Sequence, residues 1–252
     1  MVGAASALAD KYYVALGARC ADLTDKDTIM TSKTHLSTGP GRGFPQTGPW
    51  VSYYGRADDL DLGRLADRFR IINIDADPGA GNFTAAQIDQ LKAGGRNRVI
   101  SYLNVGAVER SRTYWATVPE GFVAPRDNVK AQLGPYPGYP DEVWMNVGDP
   151  DWQRLVVAYL APRLTAQGVD GFYFDNLEIV EHAAGSGQQP ICDAQCAQGG
   201  LDIVAALRAA YLSLLFVMQN ATGRPHPAGH HQRWCLRAAA RRGGPRGSVH
   251  CR

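Results

Sequence analysis

No run of about 18 apolar residues occurs in this 252-residue chain, so no membrane-spanning helix is expected. No G-x-G-x-x-G follows a strand, and no G-x-x-x-x-G-K-[ST] is present. A doubly wound nucleotide-binding domain would need such a phosphate-cradling loop, so that reading lacks its main support. Strong net charge is missing too, since 26 basic residues face 24 acidic ones. The five cysteines are Cys20, Cys192, Cys196, Cys235 and Cys251, an odd number that leaves one thiol over. No second ligand pair stands at zinc spacing beside PICDAQC. Cys192 and Cys196 are instead candidates for a local disulfide in an oxidising compartment. The start, MVGAASALADKYY, lacks a basic segment followed by a sustained apolar core and does not read as a signal peptide.

The near-neutral total hides an asymmetry. Gly223–Arg252 holds seven arginines, no lysine and no carboxylate, which leaves residues 1–222 at −5 and the tail at +7. The composition, 45% hydrophobic and 20% charged, is that of an ordinary globular protein.

Residues 1–47 read as a lead-in, rich in Gly, Pro, Ser and Thr over Thr31–Thr47, with a short helix expected near Ala4–Leu16. From Trp50 a rhythm begins. The apolar or aromatic runs are WVSYY (50–54), RIINID (70–75), RVISYLN (98–104), EVWMNV (142–147), DGFYFD (170–175) and LLFVMQN (214–220). Helical spacing appears between them at Ala85–Lys92, Trp152–Gln167 and Leu201–Tyr211. Strands alternating with helices predict parallel pairing and an α/β fold, and strands apolar on both faces predict helices packed against them. Asp75, Asn104, Asp175 and Asn220 each close an apolar run. Sites in such folds form at the carboxyl ends of strands, so these four predict one shared site. The alternative is that each caps the helix that follows.

The strings WVSYYGRADDLDLGRLADRFRIINID, RVISYLNVGAVERSRTYW, VWMNVGDPDWQRLV with GVDGFYFDNLEIVE, and LLFVMQNA, in this order and spacing, resemble glycoside hydrolase family 114. Its members are the endo-α-1,4-polygalactosaminidases, and the likeness runs from Trp50 to Thr222. The resemblance implies a (β/α)8 TIM-type barrel with about six of eight strands present, and hydrolysis of an α-1,4-linked galactosamine polymer without metal or organic cofactor. It makes Asp175 the catalytic carboxylate, as nucleophile rather than acid. Asn176 would hold a sugar hydroxyl or orient Asp175, and Glu178 would contact an amino sugar. Asp75, Asn104, Glu109, Arg112 and Asn220 complete the expected substrate-binding set, although Glu109 and Arg112 equally suit a surface ion pair. Tyr54, with Tyr53, Tyr102 and Tyr173, is a candidate for stacking on sugar rings, with core packing as the alternative. Asp170, at the start of its strand, is expected to be structural. The implied partner is a polysaccharide, attracted as a polycation to an acidic cleft. Neither a nucleic acid nor a membrane is expected as partner, the chain is expected to be a monomer, and the resemblance implies a secreted protein.

After Asn220 the likeness stops. The family continues with a seventh strand bearing a catalytic-type Glu and an eighth strand. Here the chain reads TGRPHPAGHHQRWCLRAAARRGGPRGSVHCR, with no acid and no strand-like run. This composition suits a high-GC coding sequence read out of frame, with a genuine basic tail as the alternative. His226, His230 and His231 have no acid partner and are not expected to bind metal. The predicted organisation is therefore a lead-in over 1–47, a partial barrel over 48–222 and a non-native tail over 223–252. The second catalytic carboxylate is missing from this chain, which is expected to be inactive. A non-catalytic sugar-binding relative is the nearest rival.

Overall fold

The computed structural model describes residues 43–45, 48–219 and 250–251. The expected helix at Ala4–Leu16, Asn220 and the tail histidines up to His231 lie outside them. Trp50–Tyr53 (β1), Ile71–Ile74 (β2) and Arg98–Asn104 (β3) begin a parallel sheet that continues through Gly171–Asp175 (β7) and Leu215–Met218 (β8). The two-residue His250–Cys251 (β9) adds to β8, although the sequence showed no strand there. Parallel neighbours need a crossover, and the helices supply it. Leu62–Arg68 (α1) follows β1, Ala85–Lys92 (α2) follows β2, and Ala194–Ala210 (α5) follows β7. Between β3 and β7 run Pro150–Leu155 (α3) and Ala161–Ala166 (α4), joined by a π-helical turn at Val156–Leu160. The sequence predicted one helix there. Pro162 lacks the N–H that an unbroken α-helix would use, and the wider turn lies just before it.

Alternating side chains serve two faces. Val99, Phe172, Phe174 and Phe216 join the large core under the helices. Ile100, Tyr173 and Leu215, one position out of step, pack with Phe44 in a smaller cluster on the other face. That second face would be the interior of a closed barrel. The sheet is an incomplete (β/α)8 barrel, and among the described residues β1 pairs only with β2.

EVWMNV is not the fourth barrel strand. It belongs to Tyr139–Met145 (β6), the centre of a separate antiparallel sheet with Ala107–Glu109 (β4) and Gln132–Tyr136 (β5). Only Pro137 and Gly138 connect β5 to β6, and so short a turn folds the chain back on itself. Gly138 takes φ 86°, a value open to glycine. The fourth and fifth parallel places thus go to β7 and β8, so the described sheet has five strands plus the short β9 rather than six full ones.

Candidate active site

Parallel strands bring their carboxyl ends to one side, and the register makes this specific. Asn104 lies directly opposite Asp175, and Asp75 follows Ile74, which is opposite Ser101. None of the three caps an α-helix. The caps are Asp61, Thr84, Asp149 and Asp193, each accepting from a backbone N–H of the first turn. The capping alternative therefore fails for these three, and Asn220 lies outside the described residues.

One side of the mouth is an ion-pair cluster. Arg112 donates from Nη1 to Asp75 Oδ2 at 2.8 Å and from Nη2 to Glu109 Oε1 at 3.0 Å. The three side chains are 14%, 8% and 15% exposed, so this is a buried network and not the surface pair that the sequence also allowed. The Tyr102 hydroxyl donates to the same Glu109 oxygen at 3.0 Å, and the guanidinium lies 5.6 Å from the Tyr102 ring centroid. Burial works against the charge on Arg112, but Tyr114, Glu109 and Asp75 hold its pKa above the ordinary value. Burial pushes the Asp75 carboxyl up, and Arg112 opposes it. Behind the cluster, Arg163 pairs with Asp77 at 2.8 Å.

Asp175 has different company. Burial pushes its pKa up to about 6, and the charges of Glu178 and Glu109 add to this. The Tyr102 hydroxyl and the Asn176 N–H act the other way. Its Oδ1 is buried without a hydrogen-bond partner among the described residues. Asn176, the next residue, sits in the left-handed region at φ 59°. Asparagine tolerates this conformation better than most residues. Here the conformation is held from two sides. The side-chain Nδ2 donates to Asn104 Oδ1 at 3.1 Å and to Glu142 Oε2 at 3.0 Å. Gly106 packs so closely that an added Cβ would collide with the Asn176 carbonyl oxygen. Val105 N–H also donates to the Asp175 carbonyl at 3.1 Å.

Glu142 was not anticipated. It sits on β6 opposite Glu109, and Asn104 Nδ2 also reaches its Oε2, at 3.4 Å. Burial and the charges of Glu109 and Asp175 push its pKa up to about 7, against the two asparagine amides. Read as the start of a parallel strand, Glu142 would lie at the far end of the sheet, where Asp170 does lie. The Pro-Gly turn before it is the signal that reverses the strand and returns the acid to the mouth.

Tyr54 is at this mouth, with its ring 5.2 Å from that of Tyr102 and its hydroxyl accepting from Asn73 Nδ2 at 2.6 Å. Burial raises its pKa, and Tyr173 and Asp175 add to the shift. Tyr53 and Tyr173 are core residues, 3% and 8% exposed. Glu178, in the 3-10 turn Leu177–Glu181, acts on Asp175 through its charge. Asp170 is structural, accepting from Val99 N–H at 2.9 Å and pairing with Lys92 at 3.3 Å. Cys192 and Cys196 form a disulfide at the start of α5. Among the described residues no group of His, Cys, Asp and Glu is arranged to hold a metal, and no helix is long and apolar enough to cross a membrane.

Residues 41–221 match glycoside-hydrolase family GH114. An uncharacterized protein of Deinococcus radiodurans is 29% identical over 149 residues, covering 58% of this chain and 44% of that protein. The glycoside hydrolase domain of PelA from Pseudomonas aeruginosa has a similar fold, with TM-score 0.51 at 16% identity over 68% of this chain and 59% of that one. Aspergillus fumigatus Ega3, solved in complex with galactosamine, gives 0.50 at 18% identity over 73% and 63%. The chain thus spans less than two thirds of each of these relatives.

Proposed function

The chain belongs to glycoside-hydrolase family GH114, and from that premise we propose that its site is built to hydrolyse an α-1,4-linked galactosamine-type polysaccharide. The observation that carries this reading is Asp175. It is a half-buried carboxyl at the end of a barrel strand, with a pKa pushed up to about 6. Glycosidases pair one carboxyl that protonates the leaving oxygen with another that acts as nucleophile or base. Asp175 serves as the nucleophile, and the Asn176 N–H steadies its charge. Asn104 and Asn176 present amides to sugar hydroxyls and hold Glu142. Asp75, Glu109 and Arg112 form the rigid side of the cleft, Glu178 faces the amine of the sugar, and Tyr54 lines the entry.

In the family pattern the second catalytic carboxyl stands on a strand beyond Asn220. No Asp or Glu occurs at 221–252, and residues 1–252 are therefore expected to be inactive. The same absence favours a second reading for this chain alone, in which the groove binds sugar without cleaving it. The test is hydrolysis of an α-1,4-galactosamine polymer by a chain whose barrel is completed by the two remaining strands of the family pattern. Turnover is expected there and none from residues 1–252. Asp175→Asn in the completed chain should lower kcat/KM by about a thousandfold, or ~4 kcal/mol of transition-state stabilisation. A loss of less than about tenfold, ~1.4 kcal/mol, removes Asp175 from the chemistry.

A further inference from the structure

Three aromatic rings run outward along the β5–β6 hairpin. Trp144, 2% exposed, stacks on Tyr136 with centroids 4.2 Å apart and planes at 27°. Tyr136 in turn meets Tyr139 at 4.9 Å across the two-residue turn. Tyr139 is 54% exposed, and no other aromatic residue among the described residues is as exposed. The row also runs beside the acidic site. Besides burial, the charges of Glu178, Asp175 and Glu142 are what raise the pKa of the Tyr136 hydroxyl. At the inner end, the buried Nε1–H of Trp144 has no hydrogen-bond acceptor among the described residues.

Resting on the amino-sugar reading above, we propose that the hairpin tip is a further sugar subsite, in which Tyr139 stacks on a hexosamine ring and the acidic mouth beside Tyr136 attracts its amine. The apolar C–H face of a pyranose matches a flat ring, while its hydroxyls and amine lie at the rim. Tyrosine offers a large, rigid contact with little conformational entropy to lose. Tyr136 and Trp144 fix the seat of Tyr139 before the sugar arrives, which lowers the ordering cost further. A protonated amine gains from the nearby carboxyls and from the face of the ring itself. Unlike Tyr54, which is half-buried in the mouth, Tyr139 would meet a sugar unit away from the cleavage point.

The experiment is calorimetric titration of the full 252-residue chain with a tetramer of α-1,4-linked galactosamine and with its N-acetylated counterpart. Because Tyr139 is exposed, Tyr139→Ala and Tyr139→Phe should both leave the fold intact. The galactosamine tetramer is expected to bind, and Tyr139→Ala should weaken it about tenfold or more. Tyr139→Phe, which keeps the ring, should stay within about threefold of the unmodified chain. The N-acetylated tetramer should bind more weakly, because its amide carries no charge. Equal affinity for the Ala variant overturns the subsite and leaves the amino-sugar reading standing. Tyr139-dependent binding that favours the N-acetylated tetramer overturns the carboxyl–amine attraction and the amino-sugar reading, while the stacking survives. Binding of neither tetramer overturns the subsite, and hydrolysis by the completed barrel then judges the reading by itself.

Discussion

Two groups of carboxylates share the mouth of this sheet. Asp75 and Glu109 touch a guanidinium, with Arg112 at 2.8 and 3.0 Å. Asp175 and Glu142 are acted on chiefly by burial and by other carboxylates, opposed by amides and a hydroxyl. Residue type is therefore a poor guide to role at this site. A carboxylate in contact with arginine is a fixed strut, because removing either partner strands a buried charge. A carboxyl held by amides beside other acids can gain or lose a proton near neutral pH.

The sharpest way to break this contrast is to remove the guanidinium. Arg112→Met keeps much of the side chain's bulk but leaves Asp75 and Glu109 buried without their cation. It should cost about 3–5 kcal/mol of stability, read from the denaturant midpoint. A cost below about 1 kcal/mol would mean that the pairs behave as solvent-screened surface contacts.

The next effect is smaller and depends on pH. Asp175 has an ordinary value of 3.8 and stands at about 6 in the fold. Between those values the folded state holds a proton that the unfolded state has released, so stability falls as pH rises through this window. For Asp175 alone the fall is on the order of 3 kcal/mol, at 1.36 kcal/mol per unit. Glu142, raised from 4.5 to about 7, adds to the fall in the same direction. Asp175→Asn removes its share. Its stability relative to the unmodified chain should therefore rise from pH 4 to pH 7.5 in urea unfolding. A relative stability that does not change over this range would show that Asp175 ionises as an ordinary carboxyl.

The smallest effect is at Glu142. Glutamine keeps an oxygen that can accept from Asn104 and Asn176, and it carries no charge. Glu142→Gln should change stability at pH 5 by less than about 1 kcal/mol, in contrast to Arg112→Met. A larger loss would make Glu142 a strut as well.

Much of this site was legible in the sequence because parallel strands have one polarity. Once RIINID, RVISYLN and DGFYFD are strands of one parallel sheet, Asp75, Asn104 and Asp175 must share an end. The Asp-Asn step after an apolar run was a strong marker for the same reason. EVWMNV misled because an apolar run has the same length and pattern in either kind of sheet. The turn before it carried the missing information, and with it the position of Glu142. The contacts that set ionisation were not legible. Arg112 follows Glu109 by three residues, but its hold on Asp75 spans 37 positions and exists only after β2 and β3 pair. Nor could spacing reveal that Gly106 must lack a side chain to admit the Asn176 carbonyl.

The most direct test is a carboxyl-detected NMR titration of the chain from pH 3 to pH 9, with Asp175 and Glu142 assigned through Asp175→Asn and Glu142→Gln. The resonance lost in the first variant should titrate at about 6 and the one lost in the second at about 7. Midpoints below about 4.5 for both, within the ordinary range of exposed carboxyls, would contradict these values.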